Sequence, residues 1–99
     1  METRNETIIK SKTKTSKPKH YKVVMFNDDY TSMEFVVDIL INVFNKSSEA
    51  AEKIMTEVHV SGKGIAGIYP YDIAVTKVSI AMGKADDDGF PFKLIVEEV

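Results

Sequence analysis

Ninety-nine residues with 43% apolar side chains suffice for one small domain with a single core, and no apolar run approaches the roughly 18 residues of a membrane span. The chain contains no cysteine, which excludes disulfides, zinc–thiolate sites and thiol catalysis and suits a reducing compartment. The formal net charge of −2 hides an asymmetry: residues 1–19 hold six basic and two acidic side chains, whereas residues 20–99 hold seven basic and thirteen acidic ones.

The first stretch, Met1 to Lys19, is rich in Lys, Ser and Thr and has almost nothing to bury. It reads as a flexible basic extension, disordered when free, in front of a core domain over residues 20–99. Such an arm can be a solubilising terminus, a nucleic-acid tail or a tether that reaches a partner. The nucleic-acid reading is disfavoured, because the arm has no aromatic side chain for base stacking. An export signal would need an apolar segment here, so the cytoplasm is the expected location.

Tyr21 to Phe26 reads as a strand that is apolar on both faces by its end. Asn27-Asp28-Asp29 follows, then a helix-start signal in which Thr31 and Glu34 have the capping-box spacing. A helix is predicted over Met33 to Lys46, with Met33, Val36, Val37, Leu40, Ile41 and Phe44 on its apolar stripe. Phe35, Ile39 and Val43 widen that stripe, which makes this the central helix of the core. Ser47 or Ser48 caps a second helix, which Gly62 ends. Its apolar positions are Ala51, Ile54, Met55 and Val58, with His59 at the edge of the stripe. A linker of only a residue or two predicts that these two helices pack as an antiparallel pair.

Gly64 to Tyr69 is a weaker strand whose glycines suggest a bulge or a close backbone approach. Pro70 suits the first turn of a third helix from Tyr71 to about Ala85, with Tyr71, Ala74, Val75, Val78, Met82 and Ala85 turned inward. Three carboxylates at Asp86, Asp87 and Asp88 are unfavourable at a helix's negative end and are expected to stop it there. Phe92, Leu94 and Val96 alternate with Lys93 and Glu97 in a last strand. The order β-α-α-β-α-β predicts an α+β domain, a small three-stranded antiparallel sheet packed by three helices.

Polar groups set between a buried strand and a helix are held by rigid neighbours and can be aimed. Asn27, Asp28 and Asp29 have several readings at this level. They can form a plain turn, since Asn and Asp bond their own backbone. With His59 they can form a metal site, although neither an EF-hand nor an HxxxH spacing is present. Asp plus His can serve a catalytic dyad, but Ser32 sits at a capping position and not in a nucleophile elbow. Beside an exposed-looking Met33, they can also bind a cation or amine attached to an apolar group.

The run Asn27-Asp28-Asp29-Tyr30-Thr31-Ser32-Met33-Glu34-Phe35-Val36 closely resembles the NDDYTPMEFV signature of the ClpS adaptor family. The resemblance continues through Val58-His59, Gly62-Lys63-Gly64, Gly67-Ile68-Tyr69, Ala74 to Val78 and Pro91, so it covers the body from about residue 20. It implies an N-degron adaptor, which binds proteins beginning with Leu, Phe, Tyr or Trp and hands them to a ClpA- or ClpC-type AAA+ unfoldase. Carried over by position, the resemblance implies that Asn27, Asp29 and His59, with Asp28 beside them, hold the free α-amino group. Thr31, Met33, Val36, Met55, Val58 and Phe92 would shape the side-chain pocket, with Met33 at its rim excluding β-branched residues. Lys77 would belong to the surface that docks on the unfoldase N-domain, and the arm would be the extension engaged during hand-over. Such an adaptor implies no catalytic residue, metal or cofactor, and a monomer.

The physical terms agree. An ammonium about 4 Å from a carboxylate gains on the order of 4 kcal/mol at an effective dielectric near 20, before desolvation. Burying a Leu or Phe side chain adds roughly 1.5–3 kcal/mol, and together they can exceed the entropic cost of association. An internal Leu or Phe presents only a neutral amide and should be rejected. Three positions depart from the family pattern: Ser32 replaces the usual proline and should loosen the start of the helix, Phe92 replaces leucine, and Val75 stands where an acid is common. The rival reading is a modulator that docks on the unfoldase N-domain and changes its substrate choice without binding N-degrons.

Overall fold

The computed structural model describes residues 19–99. The extension expected over residues 1–19 therefore lies outside the described residues, apart from Lys19. Six elements follow in the expected order: β1 His20–Phe26, α1 Met33–Asn42, α2 Ser48–Ser61, β2 Lys63–Pro70, α3 Tyr71–Asp88 and β3 Lys93–Glu98. The sheet order is β2-β1-β3, with both pairings antiparallel. The α+β class and the three-stranded antiparallel sheet are as the sequence pattern predicts.

Alternation in β1 decides which face the helices cover. Val23 and Met25 point into the core with no exposed surface, where they meet Ile39, Leu40 and Phe44 of the α1 segment and Ala66 and Leu94 of the edge strands. Val24 points the other way and is still only 6% exposed. Its cross-strand neighbours there are Ile65 and Ile95. A register shift between Val23 and Val24 marks a bulge against β2. Gly67, opposite Val23, admits no side chain, since a Cβ there would come within 2.7 Å of the Tyr69 ring.

Helix α1 is the central core helix, but it is shorter than its apolar stripe. It ends at Asn42, and the chain tightens through bonds from Phe44 N–H to the Ile39 carbonyl and from Lys46 N–H to the Leu40 carbonyl. Asn45 has φ 59, a left-handed conformation that asparagine tolerates better than most residues. Apolar periodicity therefore outlasts the helix, because Val43 and Phe44 are buried from a non-helical turn. The linker to α2 spans residues 43–47, longer than the residue or two expected.

Lys77 of α3 holds this corner. Its Nζ donates to the Val43 carbonyl at 2.6 Å and to Asn45 Oδ1 at 2.8 Å, and it lies 5.3 Å from the Tyr69 ring centroid. The Tyr69 hydroxyl donates to the Phe44 carbonyl at 3.1 Å, and burial pushes its pKa up, keeping it a donor.

Three further local expectations need correcting. The N-cap of α1 is Ser32, whose Oγ accepts from Phe35 N–H at 3.1 Å, because Thr31 is already bonded to Asp28. The serine thus supplies a capping bond that a proline could not. Helix α3 runs through the aspartate triplet to Asp88 and stops at Gly89, φ 74. There Gly89 N–H bonds to the Asp86 carbonyl and Phe90 N–H to the Ala85 carbonyl, a Schellman arrangement that outweighs carboxylate repulsion. Its inner face is built from Ala74, Ala81 and Ala85, whereas Tyr71 and Val75 are exposed. These alanines let the backbone of α3 lie close over the sheet, where it packs on all three strands.

Candidate functional site

At the C-terminal end of β1 the chain must leave the sheet and start α1 within six residues. Asp28 organises that turn. Its Oδ1 accepts from Tyr30 N–H at 2.8 Å and from Thr31 N–H at 2.7 Å, and its Oδ2 accepts from the Thr31 hydroxyl at 2.7 Å. Burial alone would raise the Asp28 pKa. The Thr31 hydroxyl and the Thr31 and Tyr30 N–H groups outweigh it and hold the carboxyl below its ordinary value. Asp28 therefore stays ionised with most of its acceptor capacity in use.

The end of α2 is brought to this turn by a backbone clasp. Asn27 N–H donates to the Gly62 carbonyl at 3.0 Å, continuing the β1–β2 ladder past the Phe26–Lys63 pair. Gly62 can close α2 there because it adopts φ 90. The clasp sets His59, in the last turn of α2, beside Asn27.

Between these two pieces lies a cavity of about 200 Å³. Its lining is Asn27, Asp28, Asp29, Thr31, Met33, Val36, Met55, Val58 and His59. Val36 and Val58 are buried and form apolar walls, Met55 is half-buried, and Met33 is 49% exposed at the mouth. Asp29 and His59 are exposed at the polar side. Among the described residues, no hydrogen bond occupies the Asn27 amide, the Asp29 carboxylate or the His59 ring. The lining carries two carboxylates and no lysine or arginine, so the polar side attracts a cation. Among the described residues, no three metal-ligating side chains converge. Ser32 is occupied as a helix cap.

Nine of the residues singled out in the sequence thus line one cavity. Phe92 does not: it is 3% exposed in the core, edge-on to Phe35 with ring centroids 5.6 Å apart. Lys77 is also outside the lining, with its ammonium turned toward Val43 and Asn45. The sequence reading missed the Asn27–Gly62 clasp, for which the only signal was a glycine following the last turn of α2.

A family model described as ATP-dependent Clp protease adaptor protein ClpS matches residues 16–95. The ATP-dependent Clp protease adapter protein ClpS of Clostridium acetobutylicum is 57% identical over 91 residues, covering 92% of this chain and 90% of that protein. The ClpS of Wolinella succinogenes is 47% identical over 93 residues, covering 94% and 91%. Among solved structures, Agrobacterium tumefaciens ClpS2 bound to L-phenylalaninamide matches with a TM-score of 0.80 at 36% identity, over 84% of this chain and all of that one. The fold, the matched span and these identities agree, and the chain belongs to the ClpS family of Clp protease adaptors, which are not themselves enzymes.

Proposed function

We propose that this adaptor binds the free α-amine and the bulky apolar first side chain of N-degron proteins, those beginning with Leu, Phe, Tyr or Trp, and hands them to a ClpA- or ClpC-type unfoldase. The observation that carries the reading is one cavity with apolar walls directly beside a carboxylate-bearing polar side. Only a chain terminus fixes an ammonium one carbon away from an apolar side chain. L-Phenylalaninamide, bound by the Agrobacterium relative, has that pattern, a free amine beside a benzyl group and a neutral amide.

In this reading Asn27, Asp29 and His59 take the ammonium, with Asp28 holding their turn in shape and adding negative potential. Thr31, Met33, Val36, Met55 and Val58 enclose the first side chain, and Met33 at the mouth restricts branching at Cβ. Phe92 contributes as core packing and is not needed in the pocket. Residues 1–19 act as the extension that the unfoldase engages.

Fluorescence anisotropy with a peptide beginning Leu-Leu, against the same peptide N-acetylated, tests the site. Acetylation removes the charge and leaves the apolar groups. It should weaken binding by at least about tenfold, as should Asp29→Asn. Equal binding of both peptides would refute the amine site. For delivery, removing residues 1–18 should leave peptide binding in place and abolish degradation by the unfoldase and its protease; degradation that persists would sink the hand-over role.

A further inference from the structure

Two methionines are shared by two adjoining cavities. Met33 and Met55 line the first, and they also line a second of about 390 Å³ between α1 and α2, floored by Val37 and Ile41. Met33 is 49% exposed, whereas Met25 is fully buried and Met55 and Met82 are half-buried. Among the described residues its thioether is therefore the most accessible. The chain has no cysteine, which leaves methionine as the side chain that takes up oxygen most readily. Met33 is the first residue of α1, and helical side chains lean toward the N-terminus. That lean carries its thioether back over the turn after β1, to the mouth of the first cavity.

We propose that Met33 is an oxidation site, and that its conversion to the sulfoxide by hydrogen peroxide loosens the adaptor's hold on its substrates. This rests on the first cavity being the site of the substrate's first residue. In the step, a lone pair of the Met33 sulfur attacks one peroxide oxygen. The S–O bond forms as the O–O bond breaks, and the departing hydroxide takes the proton left on the transferred oxygen. Sulfur is oxidised, and the peroxide is reduced to water. Peroxide is uncharged, so the carboxylates around the mouth do not repel it. The product puts a dipolar S–O group where a flexible apolar wall stood. Of the side chains lining the two cavities, the carboxylates only accept hydrogen bonds, and the Thr31 hydroxyl is committed to Asp28. Donors remain at Asn27 and His59, on the polar side that takes the ammonium. The sulfoxide oxygen either stays in water, drawing Met33 away from the first side chain, or competes for the groups that hold the amine. Both weaken binding. Enzymatic reduction of the sulfoxide restores the thioether, so the change is reversible.

The test is peroxide treatment of the full chain, followed by mass-spectrometric peptide mapping and by anisotropy with the free-amine Leu-Leu peptide. Met33 should gain oxygen well ahead of Met55 and Met82, and Met25 should resist. Affinity should fall by about tenfold in step with Met33 oxidation. It should return after incubation with methionine sulfoxide reductases of both epimer specificities and a dithiol. Met33→Leu cannot form a sulfoxide, so its affinity, whatever its starting value, should be the same before and after the treatment. Thermal melts of the treated and untreated parent should coincide. If the Met33 sulfoxide forms and affinity holds within about twofold, the inference is overturned and the amine site stands. If Met55 or Met82 is oxidised before Met33, or if treated Met33→Leu loses affinity as the parent does, the assignment to Met33 falls. If the treated parent melts earlier, the loss belongs to the fold and the inference fails. If the untreated chain does not bind the free-amine peptide, the amine reading itself has failed and this one falls with it.

Discussion

Replacing Lys77 with methionine separates two roles that the sequence alone could not. By family resemblance Lys77 belongs to a docking surface, yet its ammonium bonds to the Val43 carbonyl and Asn45 Oδ1 within the chain. Lys77→Met keeps the stem and removes the charge and both bonds. Hydrogen bonds to charged groups contribute about 1.5–3 kcal/mol each, and the cation over the half-buried Tyr69 ring contributes about 0.5–1 or slightly more. Lys77 is only half-buried, and releasing its side chain recovers up to about 2 kcal/mol of rotamer entropy. The net expected loss is about 2 kcal/mol, which for a domain of this size lowers Tm by roughly 10 °C. Urea and thermal melts of the parent, Lys77→Met, Asn45→Gly and the double variant measure it. Glycine suits the left-handed conformation at position 45, so Asn45→Gly chiefly removes one acceptor, and the cycle should give a coupling of about 1 kcal/mol. If Lys77→Met stays within about 0.5 kcal/mol of the parent and still impairs unfoldase binding, the corner-holding role is refuted and the residue acts on the surface alone.

Asp28→Ala should destabilise by about 1–2 kcal/mol, because it strips the acceptor from two backbone N–H groups and the Thr31 hydroxyl. Since the folded-state pKa of Asp28 lies below its ordinary value, its stabilising effect is complete above the ordinary carboxylate range and fades as pH falls through the folded value. Melts taken from neutral pH into acid should show a smaller slope for the alanine variant than for the parent. Gly67→Ala forces Tyr69 aside, so a loss of about 1–3 kcal/mol is expected, together with disruption of the Tyr69–Phe44 bond; an unchanged melting curve would mean that the sheet yields there without strain. Ser32→Ala should lose about 1 kcal/mol of stability by denaturant titration, the usual effect of removing an N-cap.

Where a feature depends on local chemistry, the sequence carried it. The strands, the three helices and the central place of α1 follow from apolar spacing, and the signature from Asn27 to Val36 supplied most of the cavity before any coordinates. The misreadings share one cause, that a competing partner lay elsewhere in the chain. Thr31 looked like a cap because its bond to Asp28 is invisible in a capping-box pattern. Helix α1 looked longer because its apolar stripe continues through Val43 and Phe44, and the corner that ends it depends on Lys77, more than thirty residues on. Phe92 looked like a pocket residue by position in a family pattern, but aromatic packing on Phe35 draws it into the core. Val37 and Ile41 read as core, since periodicity cannot distinguish a buried stripe from one that floors a groove.

The middle strand of the sheet is the first to be made. During synthesis β1 emerges with both of its edges bare, and its neighbours come much later, β2 only from residue 63 and β3 from residue 93. Helices α1 and α2 are complete before either edge can be covered, so their buried side chains are available to shelter Val23 and Met25 meanwhile. A ribosome-held chain that stops before residue 93 leaves one edge of β1 open to pairing with another chain, a route to misassembly. Release of the last strand is thus the step that ends this exposure, and β3 works as a closing seam for a strand translated some seventy residues earlier.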